Sequence, residues 1–165
     1  MDAIRPRVYL ETSVISYLVA RPSRDVVVLG HQETTRAWWD SSLARHDVYV
    51  SELVHLEAGR GDPGAASERL KAIAQFPVLA ISEEARGLAD LYVREIPLPT
   101  KASADALHLA VATLNRMDYV VTWNCEHIAQ GRVKRRFEEI NRAKGLPVPT
   151  ICTPEELFYE DSDLD

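Results

Sequence analysis

The sequence predicts an α/β fold, a parallel sheet with helices on both faces, and three observations carry that expectation. Short apolar runs alternate with helical stretches along the chain, the order produced by repeated strand–helix–strand units. Runs such as Val8-Tyr9-Leu10 and Tyr119-Val120-Val121 are apolar at consecutive positions, as strands covered on both faces are. Capping and breaking residues fall between the runs, at the helix starts and stops. At 165 residues, the length fits one domain, residues 1–158, with an acidic tail, 159–165, expected to be disordered.

The elements follow in order. Val8 to Leu10 is the first strand. Thr12 or Ser13 can cap the next helix, Val14 to Ala20, which stops before Pro22. Asp25 to Arg45 reads as one long helix bearing Trp38-Trp39. Asp47 to Ser51 is the second strand, Glu52 to Ala58 a short helix ended by Gly59, and Asp62-Pro63-Gly64 opens another helix to Gln75. Pro77 to Ile81 is the third strand. Ser82-Glu83-Glu84 caps a helix to about Glu95, with acids where the helix dipole favours them. After the loop Pro97 to Lys101, Ser103 to Asn115 is a strongly apolar helix. Tyr119 to Thr122 is the fourth strand, Trp123 to Ile128 a helical turn, and Val133 to Lys144 a helix stopped by Gly145 and Pro147. Thr150 to Cys152 is the fifth strand, and Thr153-Pro154-Glu155-Glu156 begins a capped turn.

Composition narrows the function. Hydrophobic residues make up 46% and charged residues 27%, ordinary for a soluble globular chain. No apolar run reaches the ~20 residues of a membrane span, and the first residues have no signal-peptide core. Cys125 and Cys152 stand in no zinc-binding spacing. A cytoplasmic, reduced chain is expected. The net charge of −6 argues against a protein that coats nucleic acid, though not against an enzyme that grips it locally. The basic run Arg132 to Arg136 is either a phosphate-facing patch or a solvated helix face paired with Glu138 and Glu139. Trp38, Trp39 and Leu43 together offer more apolar surface than one helix face needs, so a homodimer is expected through that helix.

Three acids stand where acids are costly. Glu11 directly follows the first strand, at the edge where open α/β sheets place their ligands. Glu57 and Asp105 interrupt otherwise apolar helices. Each has an ordinary explanation: Glu11 can cap a helix, Glu57 can pair with Arg60, and Asp105 can sit on a helix dipole. Together they suggest one shared site for a divalent cation, and oxygen ligands suit Mg²⁺ or Mn²⁺. His108 lies one turn beyond Asp105 on the same helix face, as a core histidine or a partner of the acids. His127 reads as a packing residue, and His55 points elsewhere on its helix.

The segments Tyr9-Leu-Glu-Thr-Ser-Val-Ile-Ser-Tyr-Leu18, Ser51-Glu-Leu-Val-His-Leu-Glu57, Ala104-Asp-Ala-Leu-His-Leu-Ala110 and Val121-Thr-Trp-Asn-Cys-Glu-His-Ile128 resemble, in this order, the motifs of PIN domains. The chain is similar to their VapC-type branch, ribonuclease toxins of toxin–antitoxin pairs. The resemblance covers about residues 7 to 158. It implies a three-layer α/β/α fold with five parallel strands in the order 3-2-1-4-5, and Mg²⁺- or Mn²⁺-dependent cleavage of RNA phosphodiester bonds. It also implies an antitoxin protein as partner and, commonly, a homodimer. The family's acidic positions fall on Glu11, Glu57, Asp105 and Asn124, which are the expected catalytic residues. Glu11, Glu57 and Asp105 are the expected metal ligands. Thr122 takes the place of the accompanying hydroxyl, and Thr12 and His108 are expected to support the acids.

Two departures stand out. Glu11 is one methylene longer than the usual Asp. Asn124 removes one of four negative charges, which makes a second ion harder to hold, although its carbonyl oxygen can still ligate or hold a water. Glu57 or Asp105 can orient the attacking water, and the sequence leaves both open. Asn124 keeps an alternative in view: a catalytically weakened PIN-like protein that binds RNA or a partner protein. A receiver-like domain is disfavoured, because no Lys follows the fourth or fifth strand.

Overall fold

The structure, a computed structural model, describes residues 4–162. Five parallel strands form one sheet: β1 (Arg7–Leu10), β2 (Asp47–Ser51), β3 (Val78–Leu79), β4 (Tyr119–Val121) and β5 (Thr150–Cys152), in the order β3-β2-β1-β4-β5. Val8 is in register with Val48 on one side and Tyr119 on the other. β1 is therefore the central strand, and Val8, Tyr9 and Leu10 are all fully buried. This is why its run is apolar at consecutive positions. The chain winds outward from β1 to β3 and then returns to place β4 against β1. The β1/β4 edge is thus the topological switch point, the usual place for a ligand crevice in such sheets.

Among the described residues, eight helices cover the sheet: α1 (Thr12–Val19), α2 (Val26–Ser42), α3 (Glu52–Ala58), α4 (Pro63–Ile73), α5 (Glu83–Glu95), α6 (Ser103–Leu114), α7 (Gly131–Ala143) and α8 (Pro154–Ser162). Asp25, Ser51, Asp62 and Ser82 cap α2, α3, α4 and α5 through their side chains, satisfying backbone N–H groups that a helix leaves open. α5 packs on α6, α2 on α8, and α1 on α2 and α4.

Several boundaries differ from the sequence reading. Helix α1 begins at Thr12 because Glu11, not Thr12 or Ser13, caps it. The long second helix gives way to a 3₁₀ turn, Leu43–Arg45, where His46 Nδ1 donates to the Ser42 carbonyl at 2.9 Å. β3 is shorter than Pro77 to Ile81, since the Ile81 N–H turns to the Glu52 carboxylate at 3.0 Å instead of to β2. Residues 159–162 of the expected disordered tail continue α8, which Leu157, buried in the core, anchors. Asp163 to Asp165 of that tail lie outside the described residues.

The tryptophan argument for a homodimer loses Trp38 and keeps Trp39. Trp38 is fully buried within the chain, and Trp39 is half-buried with its ring against Phe76. Trp38 thus fills this chain's own interior, while Trp39 stays partly accessible. Two of the four basic residues of the run on α7 make local pairs, Arg135 and Arg136 with Glu139 and Arg136 also with Glu95, and beyond the run Arg142 pairs with Glu138. Among the described residues, no helix is long and apolar enough to cross a membrane.

Candidate active site

Glu11 continues β1 by one residue. Its N–H donates to the Val121 carbonyl at 3.0 Å, so its side chain leaves the sheet at the β1/β4 edge. Glu11 is 5% exposed. Its Oε2 takes the Ser13 N–H at 3.1 Å, and its Oε1 takes the hydroxyls of Ser13 and of Thr122, the latter at 2.6 Å. All of these donors are neutral. Among the described residues no cation pairs with Glu11, a costly state for a buried carboxylate.

Glu57 reaches the same edge from the last turn of α3. Its Oε1 accepts from the Thr12 hydroxyl at 2.7 Å and lies 2.6 Å from His108 Nε2. Burial works against its charge. The His108 hydrogen bond and charge, with help from Thr12 and Arg60, outweigh burial and hold its pKa below the usual value. The alternative pairing of Glu57 with Arg60 is thus a field effect, secondary to His108. His108 is fully buried on α6. Burial lowers its pKa, but the Glu57 hydrogen bond and the charges of Glu11, Glu57 and Asp105 prevail and raise it. Glu11, Glu57 and His108 each place a potential ligand atom within 4.8 Å of the others.

Asp105, in the first turn of α6, stands beside this group and not within it. Its Oδ1 accepts from Asn124 Nδ2 at 3.1 Å, and its Oδ2 lies 3.0 Å from His127 Nδ1. Burial raises its pKa and the Glu11 charge adds to this, against His108 and His127. Asn124 does not present its carbonyl oxygen to the site. That oxygen takes the His127 N–H at 3.1 Å, which assigns the amide group to Asp105.

The structure therefore brings Glu11, Glu57, Thr12, Thr122 and His108 together, with Asp105 and Asn124 as an adjoining pair. Two contributors were missed. Ser13, weighed only as a cap, holds Glu11 and takes the Trp123 N–H on its Oγ at 2.8 Å. His127 bonds Asp105 where packing was expected. The Asn124 carbonyl accepts the Ile128 N–H at 3.2 Å and the Ala129 N–H at 2.8 Å, so this segment makes the single helical turn expected of it, and the turn carries His127 to Asp105. Trp123 pins this segment: its indole N–H donates to Thr35 at 2.7 Å, and His31 stacks on its face. His55 lies outside the cluster, as expected.

The donor set suits a hard dication. Two adjacent carboxylates, balanced only by neutral donors and one histidine, match the oxygen preference of Mg²⁺ or Mn²⁺.

No family model matches the sequence, and no curated protein matches it. Among solved structures, the chain is similar to one in the crystal structure of VapBC2 from Rickettsia felis bound to a DNA fragment from their promoter. The two share 11% identity at a TM-score of 0.55, over 89% of this chain and 98% of that one. The likeness is one of fold. The five-stranded parallel sheet in the order 3-2-1-4-5, with helices on both faces, is the PIN-like three-layer architecture that the motifs imply.

Proposed function

We propose that the chain is a Mg²⁺- or Mn²⁺-dependent ribonuclease that cleaves RNA phosphodiester bonds, the toxin of a toxin–antitoxin pair. The observation that carries the proposal is the pairing of Glu11 with Glu57 at the sheet's switch point, their ligand atoms within 4.8 Å of each other. A bound dication would supply an activated water and positive charge for the phosphoryl oxygens. Glu11 and Glu57 would hold it, and Asp105 would complete the acidic rim and orient water. Thr122, Ser13 and Thr12 fix the two glutamates by hydrogen bonds, which keeps the ligand oxygens preorganised. Asn124 holds Asp105 in place of adding charge.

The structural neighbour was crystallised as VapBC2 on promoter DNA. By analogy, the partner proposed for this chain is an antitoxin protein, and the compartment is the cytoplasm. A second reading, a weakened PIN-like protein that binds RNA or a partner, draws on the Asn124 amide standing where a fourth carboxylate would be.

The test is incubation of a mixed RNA pool with the protein in Mn²⁺ or Mg²⁺, against EDTA and the variants Glu57→Gln and Asp105→Asn. Metal-dependent cleavage lost in both variants is expected. Intact RNA in every lane, with RNA still retained by the protein, would favour the binding-only reading.

A further inference from the structure

A row of buried hydrogen bonds reaches Glu57 from behind the site. Ser51, the cap of α3, accepts the Val54 N–H on its Oγ at 3.3 Å. That Oγ is 2.8 Å from the Tyr9 hydroxyl, which is 2.6 Å from His108 Nδ1. His108 Nε2 is in turn 2.6 Å from Glu57 Oε1. Ser51, Tyr9 and His108 are all fully buried, so water cannot substitute for a missing partner. The row leaves β2, passes through β1 and α6, and returns to α3, the helix that directly follows β2.

The direction of the row follows from counting protons. An ionised Glu57 only accepts, so Nε2 must carry a proton; a lone pair there would face another at 2.6 Å. A neutral ring then offers Nδ1 as an acceptor, and the Tyr9 O–H is its donor. Tyr9 oxygen accepts from the Ser51 O–H, and Ser51 oxygen accepts from Val54. Every proton has an acceptor this way. In the reverse direction Ser51 Oγ would accept twice, and among the described residues its own proton would have nowhere to go, a costly state in a buried site. At the other end, Glu57 Oε1 receives both His108 and Thr12. Glu57 Oε2 has no hydrogen-bond partner among the described residues.

By distance alone His108 is a candidate ligand, one of the three groups within 4.8 Å. We propose that Ser51, Tyr9 and His108 are positioning residues: they keep a proton on His108 Nε2, which makes His108 a donor that fixes Glu57 and leaves Glu57 Oε2 for the ion. The site then offers oxygen only. Zn²⁺, which imidazole favours, gains no nitrogen ligand over Mn²⁺. The proposal rests on the metal-site reading above.

Two measurements test it. In metal-free protein, long-range ¹H–¹⁵N spectra should show the neutral His108 ring protonated at Nε2, and adding Zn²⁺ should leave that proton in place. A ring protonated only at Nδ1, or a Zn²⁺-bound Nε2, would overturn the proposal. In parallel, Mn²⁺ is titrated into wild type, Tyr9→Phe and His108→Phe by electron paramagnetic resonance, with folding checked by circular dichroism. Both variants should lose roughly tenfold in Mn²⁺ affinity, in line with outer-shell partners of metal ligands. Tyr9→Phe should also raise the ratio of Zn²⁺ to Mn²⁺ affinity. Tyr9→Phe removes one oxygen only, so it keeps the test usable if His108→Phe does not fold. Wild type that binds Mn²⁺ while both folded variants bind equally well defeats this proposal alone. Wild type that binds no Mn²⁺ at millimolar concentration defeats the metal-site reading and this one with it.

Discussion

The Asn124 side chain donates its amide to Asp105 at 3.1 Å, while its oxygen takes the His127 N–H. The residue in the place of a fourth acid is thus a hydrogen-bond donor to the third, and it relieves charge at the site where an acid would add it.

Asn124→Asp should reverse this. A carboxylate against Asp105 replaces a hydrogen bond with like-charge repulsion. In EDTA the variant should melt below wild type. With Mn²⁺ present its affinity should rise roughly tenfold, about 1.4 kcal/mol, as added negative charge attracts the dication. Calorimetric Mn²⁺ titration and thermal melts check both. Tighter Mn²⁺ binding without the EDTA penalty would contradict the assigned contact.

Ser13→Ala should weaken the site without touching an expected ligand. The change frees Glu11 from one donor and leaves the Trp123 N–H without its acceptor. We expect a stability loss of about 1 kcal/mol by urea denaturation and a Mn²⁺ affinity loss approaching roughly tenfold. Unchanged Mn²⁺ affinity would show that Ser13 serves the fold alone.

The metal-free protein should be most stable in mildly acidic solution. Glu57 is held below its ordinary pKa of 4.5 despite burial, by the His108 hydrogen bond. Its contribution is present above that value and is lost as pH falls through the folded value. His108 is held above its ordinary 6.5, burial notwithstanding, by Glu57 and the nearby acids. Its contribution is complete below 6.5 and is lost as pH rises through the folded value. Asp105, raised from its ordinary 3.8 by burial and by Glu11, contributes fully below 3.8 and loses that contribution as pH rises through its folded value, opposing Glu57. Urea midpoints in EDTA across pH 4 to 8 should therefore peak between about 4.5 and 6.5, and Glu57→Gln should flatten the profile. A profile identical in wild type and Glu57→Gln would refute the coupling.

Trp38→Ala should cost about 3–5 kcal/mol, because a fully buried indole leaves a large cavity. Trp39→Ala, half-buried against Phe76, should cost less, roughly 1–2 kcal/mol. Urea denaturation separates them. Equal and small costs would mean that Trp38 does not fill the core.

Sequence alone determined the alternation of strands and helices, most helix starts, and the placing of Glu11, Glu57 and Asp105 at the ends or turns of elements. These signals are local. Consecutive apolar residues mark a strand buried on both faces, and a capping side chain answers N–H groups two or three residues away. Tertiary structure decided what those acids touch. Ser13 meets Thr122 and Trp123 more than a hundred residues away, and Tyr9 meets His108 across β1 and α6. Asp105 meets His127 where the turn after Asn124 packs against α6. No periodicity encodes such contacts, since they arise when distant elements pack and fix rotamers. Trp38 makes the same point for the core: an apolar helix face reads alike whether it seeks a partner or its own sheet, and only the fold that buries it tells them apart.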